Sequence, residues 1–307
     1  MKRRNKALLL LSSLILLSAV PIITAAAEHP MLKNESKISD QLPRGDELIV
    51  AYYGRPGAAS LGVLGQYPIE KLKPVIRKKA AEYAKITGRH VVPGFDVIYG
   101  LASASPGPHK DYIIHLGDKK LEPYIRAAEN EGFLLFVETQ LGEHMPQDAI
   151  HHILKYIKHS NVHIAIDPEF EVSNLDVRPG KKIGHIQAAW VNKVQAIMDK
   201  YMRENHITEK KILVLHMFRH TMVENKEALR HYDNIDLIFN LDGHGSPRLK
   251  IDIYNGIYKK KYADRVAGGF KLFFKEDHPM MTPRQVMGME SVQGVKIKYS
   301  PKYINYQ

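Results

Sequence analysis

The strongest constraint on the fold is a recurring unit: a short apolar run rich in β-branched and aromatic residues, closed by one polar side chain, then a stretch with helical spacing. It is clearest in residues 162–172, VHIAIDPEFEV, where the run ends in two carboxylates two residues apart, Asp167 and Glu169. Similar endings recur at Asp96 after 91–95, Glu138 after 133–137, His216 after 211–215 and Asp242 after 237–241. Strand-length runs that alternate with helical patterns imply parallel strands joined by crossover helices. In a barrel of such strands the C-terminal ends converge on one face, where active sites lie. The polar endings therefore predict one shared mouth.

Candidate strands fall at 48–53, 91–95, 133–137, 162–166, 212–215, 237–241, 266–274 and 295–299, with helices predicted at 68–86, 119–131, 148–158, 183–205, 223–231 and 253–262. In 183–205, Ile183, Ile186, Trp190, Val194, Ile197 and Tyr201 follow three- and four-residue steps, one buried stripe with Trp190 in the core. The fold expected is α/β, a single-domain (β/α)8-type TIM barrel over residues 46–307. Two long connections, 99–117 and 171–182, follow strand ends and would shape a pocket. A third, from Gly54 to Gly57 and on through Leu61 to Gly65, reads as a backbone-lined wall.

Lys2, Arg3, Arg4 and Lys6 precede an uncharged apolar run from 7 to 27 that ends in three alanines, the pattern of a secretory signal. Residues 28–45 are polar and aperiodic and read as a linker. The chain is thus expected to be secreted or associated with the cell envelope, touching membrane only if the signal is retained as an anchor. With no cysteine, a disulfide framework, thiolate metal sites, a cysteine nucleophile and a lipidated cysteine are excluded. The formal charge of +11 falls to +7 without the four charges of the signal, a modest excess suited to an anionic envelope or glycan. No nucleic-acid partner is expected: no basic stretch is interleaved with stacking aromatics, and the run around Lys259 and Lys261 reads as a solvated helix face. There is no nucleophile elbow, no dinucleotide fingerprint and no phosphate loop.

Several motifs in order, Tyr53-Gly54 with Leu61 to Gly65, Ala102 to Gly107, Ile166 to Glu169, Leu213 to His216 with Phe218 and Arg219, Asp242-Gly243, and Pro279-Met280 with Thr282-Pro283, resemble a family of exported bacterial proteins, many of them actinobacterial lipoproteins. The resemblance implies export and a barrel-like fold and supplies no reaction. This chain departs from the lipoprotein members in lacking the lipidation cysteine. Asp167-Pro168-Glu169 on the fourth candidate strand also resembles the Asp-x-Glu pair of chitinase-like glycosidases, whose Glu is the acid. Where that motif has further aspartates, Val162 and Ala165 stand here.

Glycosidic cleavage needs one carboxyl that keeps its proton near neutrality and another that stays ionised. Glu169 is the expected general acid, tuned by Asp167, with Glu138 or Asp242 as base, nucleophile or stabilising group. The expected substrate contacts are Tyr53, Asp96, His216, Arg219, His244 and Lys271, and the partner is a polysaccharide or cell-wall glycan. Lys271 interrupts an apolar strand, so it either meets a carboxylate in the mouth or marks the solvent side of an edge. No cofactor and no metal are expected on this reading. Two alternatives stand beside it: a non-catalytic protein that binds a glycan or peptide in the mouth, and a metal-dependent hydrolase or deacetylase using His216, Asp242 and a carboxylate, with His216 and His220 as an H-x-x-x-H pair.

Overall fold

The computed structural model of the protein describes residues 47–307, apart from 108, 174, 260, 262 and 263. The expected signal and linker lie outside the described residues.

Eight parallel strands close on themselves: β1 (Leu48–Arg55), β2 (Val91–Ala102), β3 (Leu134–Gln140), β4 (Val162–Asp167), β5 (Lys211–Met217), β6 (Ile235–Leu241), β7 (Ala267–Leu272) and β8 (Tyr303–Tyr306). Closure comes from β1, which pairs with β2 on one side, Leu48 opposite Val91, and with β8 on the other, Ile49 opposite Tyr303. The protein is a (β/α)8 TIM barrel. Alternate residues face alternate sides of a strand, so β1 sends Leu48, Val50 and Tyr52 outward to the helices and Ile49 and Ala51 inward. Inside, those two pack with Leu134, Phe136, Val214 and Ile238. The interior is a filled core.

The longer helices lie outside this ring: α1 (Ile69–Thr87), α2 (Asp118–Glu131), α3 (Ala188–Glu204) and α4 (Pro247–Ile257). In α1, Leu72, Ile76, Ala80 and Tyr83 form one buried stripe, and Tyr83 Oη meets Tyr306 Oη of β8 at 2.8 Å. Ser246 caps α4, its side chain accepting from the Leu249 N–H, and Pro247 occupies the first turn where no N–H is needed. Among the described residues no helix is long and apolar enough to cross a membrane.

Several boundaries differ from the sequence expectation. Residues 295–299 are not a barrel strand: Val295 makes only an isolated bridge to Val292, and the eighth strand is Tyr303–Tyr306. The apolar alternation of 295–299 was the more strand-like pattern, but only Ile297 in it is buried, whereas all of β8 is. The expected helix at 148–158 is one short turn, Pro146–Ala149, followed by tighter 3-10 turns at Ile150–His152 and Leu154–Lys158. At 223–231 there is no α-helix. Val223–Glu224 instead pairs with Ile186–Gln187, and a 3-10 turn follows at Lys226–Ala228. That pairing holds Ile186 extended, so α3 starts five residues later than its apolar period suggested. Its buried stripe runs through Val191, Val194, Met198 and Met202, leaving Trp190 partly buried at the margin. The helix expected at 253–262 begins at Pro247 and ends at Ile257, so Lys259 and Lys261 lie beyond it.

The wall expected after Gly54 is a hairpin in which Ala58–Gly62 turns back antiparallel to β1, Gly54 opposite Gly62. Gly62 has φ +103°, and a Cβ there would stand 2.5 Å from the Tyr53 carbonyl oxygen and 2.9 Å from Gly54 Cα. Those neighbours are backbone and cannot swing aside. Gly62→Ala is expected to destabilise the fold by about 1–3 kcal/mol, from strain and contact together, read as a lower midpoint in chemical denaturation.

Candidate active site

The period of two that packs the interior also builds the site. Continuing the inward parity of Ile49 and Ala51 delivers Tyr53; that of Leu134 and Phe136 delivers Glu138; that of Ile212 and Val214 delivers His216. Likewise Val92 leads to Asp96, Ala165 to Asp167, Ile238 to Asn240 and Asp242, and Tyr303 to Asn305. A polar layer therefore caps the apolar ones at the C-terminal end of the barrel.

His216, fully buried, is its centre. Its Nε2 stands 3.1 Å from Glu138 Oε2 and 3.5 Å from Asp96 Oδ2, and its Nδ1 stands 3.3 Å from Asp242 Oδ2. Outer donors fix the carboxylates. Tyr53 donates to Glu138 Oε1 at 2.7 Å, while Tyr303 Oη and Asn305 Nδ2 each donate to Asp96 Oδ2 at 2.7 Å. Lys271 points into the mouth, as one of its two sequence readings had it. Its Nζ lies 4.0 Å from Asp242 Oδ2 and 3.4 Å from the centroid of the Tyr53 ring.

Above this layer opens a cavity of about 470 Å³. Asp167, Glu169, Asp242 and Lys271 line it with Tyr53, and Arg219 and His244 reach it from the rim. Phe170, Phe218 and Phe273 supply apolar faces. Asp96, Glu138 and His216 do not line it and lie beneath, with no exposed surface. Of the sequence-predicted residues, then, seven meet in the cavity and three form its underside. His220 sits exposed on a 3-10 turn after β5, where no helix brings it onto a face with His216.

The electrostatics divide the carboxyls. Burial, followed by the charge of Asp242, pushes Asp167 up to about 7. Burial and then Asp242 also raise Glu169, opposed by Lys271, His216 and Arg219. Asp242 goes the other way: burial would raise it, but the His216 hydrogen bond and the charge of Lys271 outweigh burial and hold it below the usual value. Glu138 is pushed up to about 8, chiefly by burial and by Asp96 and Asp167 against the pull of His216. Burial disfavours charge on His216, yet Glu138, Asp242 and Asp96 overcome it and hold its pKa well above the ordinary histidine value.

Asp167 Oδ1 also accepts the Glu169 backbone N–H at 2.9 Å, which ties the catalytic candidate to its own strand end. Tyr303, Asn305 and Asn240 also belong to the polar layer and stand outside the sequence-predicted set. The signal is present in 303–305, where a tyrosine and an asparagine alternate on one face, but the cleaner apolar alternation at 295–299 outcompetes it as a strand pattern. No protein-family model matches the chain, and no curated protein is significantly similar to it.

A raised acid makes stability depend on pH in a defined direction. The folded chain holds the Asp167 proton up to about pH 7, whereas the unfolded chain releases it near 3.8. That favours the fold below 3.8, and the advantage is lost progressively as pH rises through about 7. Urea midpoints measured at about pH 5 and about pH 8 should fall toward the higher pH, and Asp167→Asn should flatten the difference.

Proposed function

We propose that the protein is an exported glycoside hydrolase acting on a cell-envelope or environmental glycan, with Glu169 as general acid and Asp242 as the ionised partner. One observation carries this reading: two carboxyls of the same cavity are displaced in opposite directions, Glu169 toward its protonated form and Asp242 toward its ionised form. Pairs of titratable groups pushed apart in this way mark acid and base roles. Glu138 was the other candidate for the ionised role, and burial beneath the cavity with a raised pKa makes it the weaker choice.

Glu169 protonates the leaving glycosidic oxygen, and Asp242 stabilises positive charge developing on the sugar or activates the attacking group. Burial and the charge of Asp242 raise the acid, and Asp167 positions it by accepting the Glu169 backbone N–H. Phe170 and Phe218 offer faces for sugar rings, while Arg219, His244 and Lys271 present donors to hydroxyl groups. The basic, apolar N-terminus and the resemblance to exported bacterial proteins support a location outside the cytoplasm.

The test is release of reducing sugars or muropeptides from envelope polysaccharides by the purified protein. Glu169→Gln and Asp242→Asn should each lower kcat/KM by about 10²–10⁴-fold. Activity should fall at high pH as Glu169 loses its proton, later than an ordinary glutamate would, and at low pH only below the usual aspartate range as Asp242 gains one. Full activity in Glu169→Gln would remove it from the mechanism. Binding of glycans with no release from a broad panel would make the protein a glycan-binding one.

A further inference from the structure

We propose that Asp96, Glu138 and His216 form a buried site for one divalent first-row transition-metal ion, of the zinc, cobalt or manganese type. It is separate from the hydrolytic cavity and does not depend on the glycosidase reading.

The geometry is that of a ligand set. One ligand atom from each of the three residues lies within 4.8 Å of the others. Bonds of about 2.1 Å put neighbouring ligands about 3.0 Å apart in an octahedron and about 3.4 Å apart in a tetrahedron. His216 Nε2 stands 3.1 Å from Glu138 Oε2 and 3.5 Å from Asp96 Oδ2. Calcium needs longer bonds and six to eight oxygens, and magnesium takes oxygen ligands and retained waters, so one imidazole with two carboxylates favours the transition-metal dications.

A second observation is independent of spacing. His216 Nε2 and Glu138 Oε2 are buried without a hydrogen-bond partner, and on Asp96 the unpaired oxygen is Oδ1, the neighbour of the Oδ2 that stands 3.5 Å from Nε2. Although Nε2 and Oε2 are only 3.1 Å apart, they are not hydrogen bonded to each other. Their other polar atoms, by contrast, are held: Glu138 Oε1 by Tyr53, Asp96 Oδ2 by Tyr303 and Asn305, and His216 Nδ1 by Asp242. Metal-bound histidines characteristically donate their second nitrogen to a carboxylate, and ligating carboxylates are themselves hydrogen bonded.

The experiment strips the purified full-length protein with EDTA and titrates in Mn²⁺, Co²⁺ or Zn²⁺ at neutral pH, measuring heat and the metal retained after gel filtration. One ion per chain is expected. Glu138→Gln and Asp96→Asn should weaken binding by more than about tenfold, Tyr303→Phe by about tenfold, and Glu169→Gln in the cavity should leave it unchanged. Bound Mn²⁺ should show magnetic coupling to an imidazole nitrogen, lost in His216→Ala. Circular dichroism checks that each variant is folded, and where one is not, the nitrogen coupling in the unsubstituted protein decides. Failure to retain any of the three ions, or binding without nitrogen coupling, would overturn the site. Binding unchanged in a folded Glu138→Gln would overturn it too, placing the ion on the cavity carboxylates instead.

Discussion

Everything at the mouth of this barrel depends on a histidine buried among three carboxylates. His216 touches Glu138, Asp96 and Asp242 from three different strands. Each of those acids would be too costly to bury alone, since an isolated ionised carboxylate in an apolar interior neutralises or unfolds its surroundings. The tyrosines and asparagine that donate to Glu138 and Asp96 complete the compensation. Their phenols remain donors because burial, reinforced by the neighbouring carboxylates, keeps both Tyr53 and Tyr303 well above the ordinary tyrosine pKa. The compensation is incomplete. A buried polar group without a partner costs about 1–3 kcal/mol, and unpaired atoms remain on Asp96, Glu138, His216, Asn240 and Asn305. A layer built this way trades stability for an arrangement of charge, which is the pattern of functional sites rather than of cores.

The same network sets the contrast between the cavity carboxyls. Asp242 contacts His216 on one side and Lys271 on the other, so it keeps its charge despite burial. Having kept it, Asp242 becomes the principal charge that raises Asp167 and Glu169. One ionised aspartate, stabilised from below, thus adds its charge to burial in raising the two acids beside it. Removing His216 would therefore act on Glu169 without contact between them.

Seven of the eight strands could be read from the chain because each carries an apolar run closed by turn residues, and barrel packing turns that pattern into parity. The polar endings at Asp96, Glu138, Asp167, His216 and Asp242 announced the mouth for the same reason. The eighth strand failed this test because 303–306 is short and half polar. Its tyrosines and Asn305 face either the helices or Asp96, so hydrophobicity alone undervalues it beside the cleaner alternation at 295–299. Sequence could not separate the cavity floor from the layer beneath either. Glu138 and Asp242 both follow apolar runs, yet strand stagger places one under His216 and the other above it. Such depth is a property of the register between strands, set by the whole ring and not by any one segment.

The Asp-Pro-Glu segment shows how local chemistry then separates two acids that a simple strand would have kept together. Residues two apart on a strand share a face, so Asp167 and Glu169 would both point into the interior if β4 continued. Proline cannot donate to the ladder, and at Pro168 the chain turns into a 3-10 segment, Pro168–Phe170, with Asp167 as its cap accepting the Glu169 N–H. Asp167 therefore stays at the cavity floor at 4% exposure, while Glu169 moves up the cavity wall, partly open to solvent. The same hydrogen bond favours the ionised form of Asp167, but it is outweighed there by burial and Asp242. One proline thus gives Asp167 and Glu169 different exposures while a hydrogen bond ties them through backbone, which two independent side chains on a regular strand could not do.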